Sequence, residues 1–311
     1  LFFLFLKPHM YLAHRGTDRI RDVHILDDRL GWRLKPGSTG THFSEGNFDV
    51  TYAIDEKGRR KIENHAVSTP AIFFFGDSFT FGHGVAGHQT YTAIIKSRLP
   101  GIAVYNLGVM GYGIVHLYEK LTQTLDEIRP GDTVVFAPLS SNISRNIKEF
   151  IVPFVTYCTS ANLKFQYYPR YNSPLVDAVR MQDTIVNRLK FYLLTAPLLG
   201  RVTREFHRRY LIPDTTLEAR DMIERARQMV LSKGGRFRLY FLPTVQECRK
   251  REYHRDISVF TYTDIMNFFP KEADALEALR FSTDPHWNDK GHAIAARAIL
   301  ATLAESEKET L

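Results

Sequence analysis

A serine, an aspartate–histidine pair, a glycine and an asparagine are the residues of this chain whose types and positions suit acyl transfer. Ser78 follows the apolar run of residues 71–75, which ends at Gly76 and Asp77. A short apolar run closed by glycine predicts a buried strand, which places Ser78 at the edge where parallel α/β sheets bind ligands. A serine that opens a helix also acts as an N-cap, so its position alone leaves both interpretations open.

Asp284 and His286 supply what an uncharged serine lacks. A serine hydroxyl is a weak nucleophile, which needs a base within hydrogen-bond reach and an acceptor that orients the base. The pair stands two positions apart, in a polar loop before the last predicted helix. We therefore expect Asp284 to set the tautomer of His286, and His286 to take the proton of Ser78. The alternative is a histidine that is hydrogen-bonded only to local groups.

Three amide donors follow the predicted strands. They are the backbone amide of Ser78, the backbone amide of Gly108 and the side-chain amide of Asn142. Because the carboxyl ends of parallel strands meet at one edge of a sheet, we expect these donors to lie near Ser78. There they would hold the oxyanion that forms when serine attacks an ester carbonyl. A loop glycine or asparagine taken singly is typical of a turn, so the signal lies in the combination.

The elements that must position these residues alternate between strand and helix. The predicted strands cover residues 71–75, 103–106, 133–137, 238–243 and 257–260, and the predicted helices cover about 89–99, 114–128, 216–233 and 289–305. This alternation predicts a parallel sheet with helices on its faces. The main domain is expected over residues 70–306.

Three segments depart from the alternating pattern. Residues 30–69 predict a small antiparallel β appendage, and about 143–215 a partly helical insertion over the site. Residues 1–29 form an N-terminal arm that opens with six apolar residues, far fewer than the roughly 20 that span a bilayer. We interpret the arm as the end of a truncated signal or membrane anchor. The alternative is an apolar arm that docks on the domain.

Charge and cysteine content narrow the expected partners and cofactors. The formal net charge is +7, but the basic residues are dispersed and match no nucleic-acid-binding motif, so nucleic acid is not an expected partner. Cys158 and Cys248 are the two cysteines, too few for a disulfide framework or a paired-cysteine metal site. A single bridge between them stays open. We expect neither a metal nor an organic cofactor.

Four of these residues resemble the markers of the SGNH or GDSL-type serine hydrolases, which are serine, glycine, asparagine and histidine in that order. The matching positions are Ser78 in GDSFTFG, Gly108 in YNLGVMGYG, Asn142 in VVFAPLSSN and His286 in DPHWNDKGH. One such motif is a weak signal, whereas four in family order are a strong one. The resemblance covers about residues 70–142 and 236–303.

The chain departs from the family pattern at two places. Asn142 is flanked by Ser141 and Ile143, where the family usually has glycine and aspartate. Asp284 stands two residues before His286, where the family often has three. The shorter spacing resembles the branch that includes periplasmic polysaccharide O-acetylation enzymes.

The resemblance implies a flavodoxin-like, three-layer α/β/α sandwich around a five-stranded parallel sheet. It also implies a serine esterase that cleaves acyl esters, with an acetyl ester on a carbohydrate or cell-envelope molecule as the expected substrate. Together with the N-terminal arm, it favours an extracytoplasmic location and membrane anchoring. Two alternatives share the same residues. One is a polysaccharide O-acetyltransferase with the same triad, and the other is a noncatalytic polysaccharide-binding module.

Overall fold

The fold combines short antiparallel strands with a parallel sheet covered by helices. The computed structural model describes residues 18–27, 30–64, 70–143, 216–254 and 257–308. The strands of this part are β1 (Asp18–Arg21), β2 (His24–Asp27), β3 (Gly31–Leu34), β4 (Thr39–Ser44), β5 (Phe48–Ala53), β6 (Ala71–Gly76), β7 (Ala103–Asn106), β8 (Thr133–Ala137) and β9 (Arg236–Leu239). Its α-helices are α1 (Ser78–Phe81), α2 (Tyr91–Arg98), α3 (Ile114–Thr124), α4 (Thr216–Ser232), α5 (Val245–Lys250), α6 (Ala273–Glu277) and α7 (Asp289–Lys308).

The parallel sheet has the strand order β7-β6-β8-β9. All residues of β6 and β8 are buried, as is typical of strands covered on both faces. Alternate residues of β6 face different helices. Phe73 and Phe75 pack in one core with α3 and α4, whereas Ile72 and Phe74 pack in a second core with α2 and α7. The result is a three-layer α/β/α arrangement.

The prediction of a fifth parallel strand over residues 257–260 is wrong. These residues form a turn, in which the N–H of Phe260 donates to the carbonyl of Ile257 at 3.1 Å. The two apolar ends of the segment are buried, so its apolar character reflects a turn anchored at both ends. The chain reaches the free edge of β9 a few residues further on, where the N–H of Thr263 donates to the carbonyl of Leu239 at 2.8 Å. The described parallel sheet therefore has four strands.

The N-terminal strands form two antiparallel sheets, β1-β4-β5 and β2-β3. The β appendage thus includes strands from Asp18 onward, a region that the sequence assigned to the arm. β4 alternates exposed and buried residues, so one face of its sheet is buried. Trp32 Nε1 donates to the carbonyl of Met110 at 2.9 Å, and the hydroxyl of Tyr112 donates to the carbonyl of Trp32 at 2.7 Å. These bonds attach the appendage to the loop that follows β7.

Several sequence-based predictions fall outside the described residues. They are residues 1–17 of the arm, residues 144–215 of the insertion, and Cys158 within it.

Cys248 is a buried free thiol, and burial raises its pKa to about 12. Among the described helices, none is both long enough and apolar enough to cross a membrane.

His292 lies buried in the first turn of α7. Because of it, we expect the free energy of unfolding to fall in mild acid. The Nδ1 of His292 accepts the N–H of Tyr91 at 3.3 Å, and burial, followed by the charges of His286 and Arg60, lowers its pKa from 6.5 to about 3. The unfolded chain binds a proton at this residue near pH 6.5, but the folded chain does not until about pH 3. The free energy of unfolding therefore falls as pH drops through this window, by up to about 1.4 kcal/mol per pH unit.

His292→Asn is expected to reduce this slope, because an asparagine supplies an acceptor for Tyr91 that does not titrate. Urea titrations at several pH values between about 7 and about 4 would measure the slope. His88→Asn is the matched control, since His88 is exposed. Equal slopes for the wild type and His292→Asn would contradict the assignment. Some slope should remain in the variant, because burial also lowers the pKa of His24 to about 3.

Candidate active site

Ser78 stands in the first turn of α1, immediately after β6. The N-cap of α1 is Asp77, whose Oδ1 accepts the N–H of Phe79 at 2.9 Å. The interpretation of Ser78 as a helix cap is therefore wrong, because its neighbour performs that role. The Ser78 side chain is half-buried at the edge of the sheet, and its hydroxyl is not used to cap α1.

Ser78, His286 and Asp284 form one hydrogen-bonded chain. Ser78 Oγ lies 2.7 Å from His286 Nε2, and His286 Nδ1 lies 2.6 Å from Asp284 Oδ1. The same carboxylate oxygen accepts the backbone N–H of His286 at 2.8 Å. With Nδ1–H donating to the carboxylate, Nε2 is the basic nitrogen and faces the serine hydroxyl. This is the arrangement that general-base activation of a serine requires.

Asp284 is held in its charged form. Burial alone would raise its pKa, but hydrogen bonds from His286 and His83 and the charges of the two imidazoles outweigh burial and keep the pKa well below its ordinary value. The carboxylate is consequently ionised throughout the neutral range. A permanent negative charge beside Nδ1 stabilises an imidazolium when His286 accepts a proton.

Asn142 lies beside the residue that precedes Ser78. It belongs to the 3-10 helix Ser140–Asn142 after β8, and its Nδ2 donates to Asp77 Oδ2 at 2.5 Å. Leu139 N–H donates to the same oxygen at 3.2 Å. Because a side-chain amide carries two hydrogens, the bond to Asp77 leaves one for another acceptor. The role of Asn142 as an oxyanion donor stays a prediction.

Gly108 packs against the backbone of α1, although its amide is already bonded. Its N–H donates to Asn106 Oδ1 at 3.0 Å, and Asn106 Nδ2 donates to the carbonyl of Thr80 at 2.7 Å. An oxyanion would therefore have to share the Gly108 N–H with Asn106, and its role as a donor also stays a prediction. Within the described residues, the backbone N–H of Ser78 has no recorded acceptor.

Gly108→Ala is expected to displace the helix that carries Ser78. A Cβ at this position would lie 2.3 Å from the backbone nitrogen of Phe81, a distance that forces the backbone to move. Overpacking of this kind lowers the free energy of unfolding by about 1–3 kcal/mol. Urea unfolding and kcat/KM would measure the two effects. Gly101→Ala is the matched control, because a Cβ there meets nothing within 4 Å, and equal unfolding midpoints for both variants would contradict this prediction.

Sequence reasoning missed His83, which contacts two members of the triad. Its ring stacks on that of His286, with centroids 3.9 Å apart and planes 17° apart. Its Nε2 lies 3.4 Å from Asp284 Oδ2. The flanking glycines, Gly82 and Gly84, have φ values of 85° and 78°, a conformation that favours glycine. A histidine between two glycines, five residues after Ser78, was the available signal.

Asn47 was also missed, and no local signal marks it. It lies in the turn between β4 and β5, 236 residues from Thr283. Its Nδ2 donates to Thr283 Oγ1 at 2.7 Å, and its Oδ1 accepts the N–H of Thr283 at 3.0 Å. Asn47 therefore ties the β appendage to the loop that carries Asp284 and His286.

Among the described residues, one group has ligand atoms close enough together to hold a metal ion. It consists of His83, Asp284 and His286, whose ligand atoms lie within 4.8 Å of one another. The two imidazole planes are nearly parallel, so the lone pairs of their nitrogens do not converge on one point. The nitrogens of His286 also face Ser78 and Asp284 in hydrogen bonds. We interpret the group as a hydrogen-bonded network.

Comparison with solved structures identifies similar folds. A lipolytic protein of the G-D-S-L family from Veillonella parvula is 12% identical, with 74% of this chain and 96% of that chain covered and a TM-score of 0.42. Many of the structural neighbours are GDSL lipolytic proteins or esterases. The psychrotrophic esterase EstA from a Pseudoalteromonas species is 11% identical, with coverages of 76% and 98% and a TM-score of 0.39. The lipase Lip_vut3 from a goat rumen metagenome is 12% identical, with coverages of 75% and 97% and a TM-score of 0.39.

The GDSL proteins are the family that the sequence motifs of this chain resemble. No protein-family model matches the sequence, and a search of curated proteins gives no match. At these identities and TM-scores, the GDSL neighbours carry no conclusion about substrate or reaction.

The four positions that match the GDSL motifs lie around one edge of the sheet. Ser78 and His286 are directly hydrogen-bonded. Asn142 bonds Asp77, the residue before the serine, and Gly108 packs behind the same helix.

Proposed function

We propose that this chain is a serine esterase that hydrolyses acyl esters through an acyl-enzyme on Ser78. The observation that carries the proposal is the continuous hydrogen-bonded chain from Ser78 Oγ through His286 to Asp284, with contacts of 2.7 Å and 2.6 Å. A buried or half-buried serine, imidazole and carboxylate in this order have the roles of nucleophile, base and orienting anion.

Acylation begins when His286 Nε2 takes the proton of Ser78 as Oγ attacks the ester carbonyl carbon. The carbonyl oxygen becomes an oxyanion, for which the Ser78 N–H, Gly108 and Asn142 are the proposed donors. The imidazolium is stabilised by Asp284. When the tetrahedral intermediate collapses, the bond to the alcohol oxygen breaks, and Nε2–H gives its proton to that oxygen.

Deacylation repeats these steps with water as the nucleophile. His286 Nε2 takes a proton from water while the water oxygen attacks the acyl carbon. The bond to Ser78 Oγ then breaks, the carboxylic acid leaves, and the imidazolium returns its proton to Ser78. The enzyme ends the cycle unchanged, so no cofactor enters these steps.

We propose an acetyl ester on a carbohydrate or other cell-envelope molecule as the substrate. The support comes from the sequence, in which Asp284 stands two residues before His286, as in the O-acetylation branch that the motif resembles. The net charge of +7 is compatible with an acidic polymer as the acyl carrier. Such a substrate fits an extracytoplasmic location.

Trapping of the acyl-enzyme tests this proposal. The protein would be mixed with a chromogenic acetyl ester, quenched in acid and mapped by peptide mass spectrometry, with acetyl expected on Ser78. Ser97→Ala is the matched control, because Ser97 is an exposed serine of α2, and it should be acetylated at Ser78 like the wild type. Acetyl on another residue, or ester consumption without any adduct, would overturn the assignment. When an oligosaccharide acceptor is added with the ester, formation of acetylated oligosaccharide in place of acetate would indicate the O-acetyltransferase alternative.

A further inference from the structure

The turn between β4 and β5 carries an inference that rests on the proposed function. We infer that Asn47 is a positioning residue, which holds Asp284 and His286 in the geometry that activates the nucleophile. Its side chain reaches Thr283, the residue directly before Asp284, through hydrogen bonds of 2.7 Å and 3.0 Å. One asparagine of the β appendage therefore fixes the backbone next to the orienting carboxylate.

The loop over residues 281–287, which carries the acid–base pair, has an exposed tip. Ser282 and Thr283 are exposed, and the loop is closed at its base by the N–H of Phe281, which donates to the carbonyl of His286 at 3.2 Å. An exposed segment with few buried contacts opens locally at a small cost in free energy. The orientation of the pair therefore depends on the bonds that the tip makes to the rest of the protein.

The turn of the appendage supplies such bonds. Asn47 Oδ1 also accepts the hydroxyl of Ser282 at 3.1 Å, and the same hydroxyl lies 3.0 Å from the carbonyl oxygen of Gly46. The ring of Phe48 packs on that of Phe281, with centroids 4.9 Å apart. Three consecutive residues of the turn therefore contact the first half of the loop, by polar and by apolar groups.

Bonds within the turn hold Asn47 in place. Its backbone N–H donates to the carbonyl of Ser44 at 3.0 Å, and its Nδ2 lies 3.1 Å from Ser44 Oγ. Ser44 is paired with Phe48 in the ladder of β4 and β5, so the turn belongs to a regular hairpin. A side chain that is already held by its own hairpin loses little conformational freedom when it bonds Thr283.

The hairpin is also attached to the segment that follows α1. The hydroxyl of Tyr52, in β5, accepts the N–H of Gly84 at 2.8 Å. A Cβ at Gly84 would lie 2.6 Å from an atom of each of the rings of Phe48 and Phe281, so hairpin, loop and this segment meet at one place. The appendage thus connects the segment after the Ser78 helix to the loop that carries the base of Ser78.

Two substitutions of Asn47 test the positioning role by kinetics. Asn47→Ala removes its side-chain bonds to Ser282 and Thr283. With a small chromogenic acetyl ester, we expect kcat to fall about tenfold and KM to stay within about twofold, because the lost bonds act on the triad and not on the substrate. Asn47→Asp keeps an acceptor for the Thr283 N–H, and its second oxygen accepts the Thr283 hydroxyl. It should restore kcat to within about threefold of wild type.

Thr283→Val removes the same contact from the side of the loop, since it deletes the acceptor of Asn47 Nδ2. The double variant Asn47→Ala/Thr283→Val should be slower than Asn47→Ala by no more than about twofold, because the two changes remove one shared interaction. Thr51→Ala is the control for hairpin stability. Thr51 is exposed on β5, so the change weakens the strand and leaves the turn intact, and kcat should stay at the wild-type value.

A spectroscopic readout does not depend on turnover. The proton on His286 Nδ1 lies in a 2.6 Å bond to a carboxylate, so we expect its resonance far downfield in the proton NMR spectrum. Asp284→Asn should move or remove this resonance and so assign it. The resonance should be present in wild type and Thr51→Ala, broaden through exchange with water in Asn47→Ala, and return in Asn47→Asp.

The inference is overturned if Asn47→Ala keeps the wild-type resonance or the wild-type kcat, if Thr51→Ala loses either one equally, or if Asn47→Asp restores neither. Additive losses in the double variant would also overturn it, since Asn47 would then act by another route. If no variant and no wild-type protein hydrolyses the ester, the proposed function fails, while the resonance still decides whether Asn47 holds the pair in place.

Discussion

Ser78→Ala is expected to lower kcat for ester hydrolysis by about 10⁴-fold or more, since removal of a catalytic serine leaves only binding and oxyanion stabilisation. The hydroxyl lies 2.7 Å from His286 Nε2, so alanine removes both the nucleophile and the proton that the base takes. The helix should remain intact, because Asp77 caps it. Steady-state kinetics with a chromogenic acetyl ester, at enzyme concentrations high enough to follow a slow residual rate, would measure the loss.

The matched control for this prediction is again Ser97→Ala, which removes a hydroxyl from an exposed position and should retain the wild-type rate. Circular dichroism and urea unfolding would show that Ser78→Ala is folded. A folded Ser78→Ala protein that hydrolyses the ester within about tenfold of wild type would remove Ser78 from the mechanism, since even one lost oxyanion donor lowers turnover by about 10²–10³.

Asp284→Asn is expected to lower kcat by about 10³- to 10⁴-fold. Oδ1 of Asp284 accepts both the backbone N–H and the Nδ1–H of His286, so an asparagine oxygen is able to keep these bonds. What the variant loses is the charge, which stays on the carboxylate because the hydrogen bonds and charges of the two histidines hold its pKa well below the ordinary value. The imidazolium that forms during acylation then has no counter-charge.

The pH dependence of the residual rate distinguishes this cause from misfolding. Without the carboxylate charge, His286 binds a proton less readily, and the acid limb of kcat/KM should move to lower pH. Asp274→Asn is the matched control, because Asp274 is an exposed aspartate of α6, and it should keep both rate and profile. A fall of less than about tenfold in kcat for Asp284→Asn would contradict the triad assignment.

The regular elements could largely be predicted from the sequence, because each depends on a local pattern. The strands at 103–106 and 133–137 match β7 and β8 residue for residue. The predicted helix over about 89–99 corresponds to α2 over Tyr91–Arg98, preceded by a 3-10 turn. The short helices α5 and α6 were missed, since five or six residues give no helical periodicity. The capping pair of Thr244 and Glu247 was the signal that marked α5.

The prediction of a fifth strand was wrong for a related reason. Three of the four residues 257–260 carry apolar side chains of the types found in strands, but in the structure they form a turn whose two ends are buried. A four-residue run is too short for its period to separate a strand from an anchored turn. The segment that does lie beside β9 contains Thr263, and its place depends on tertiary packing that a local pattern does not describe.

By itself, the sequence determined the parts of the site that are local. It predicted the strand that ends just before Ser78, and it paired Asp284 with His286, whose bonds span two residues. Only the tertiary structure decided which distant groups meet. Ser78 contacts a base 208 residues away, His83 Nε2 lies 3.4 Å from Asp284 Oδ2, and Asn47 bonds to the loop that carries Asp284 and His286. The physical reason is that apolar periodicity specifies elements, whereas contacts between loops follow from how those elements pack.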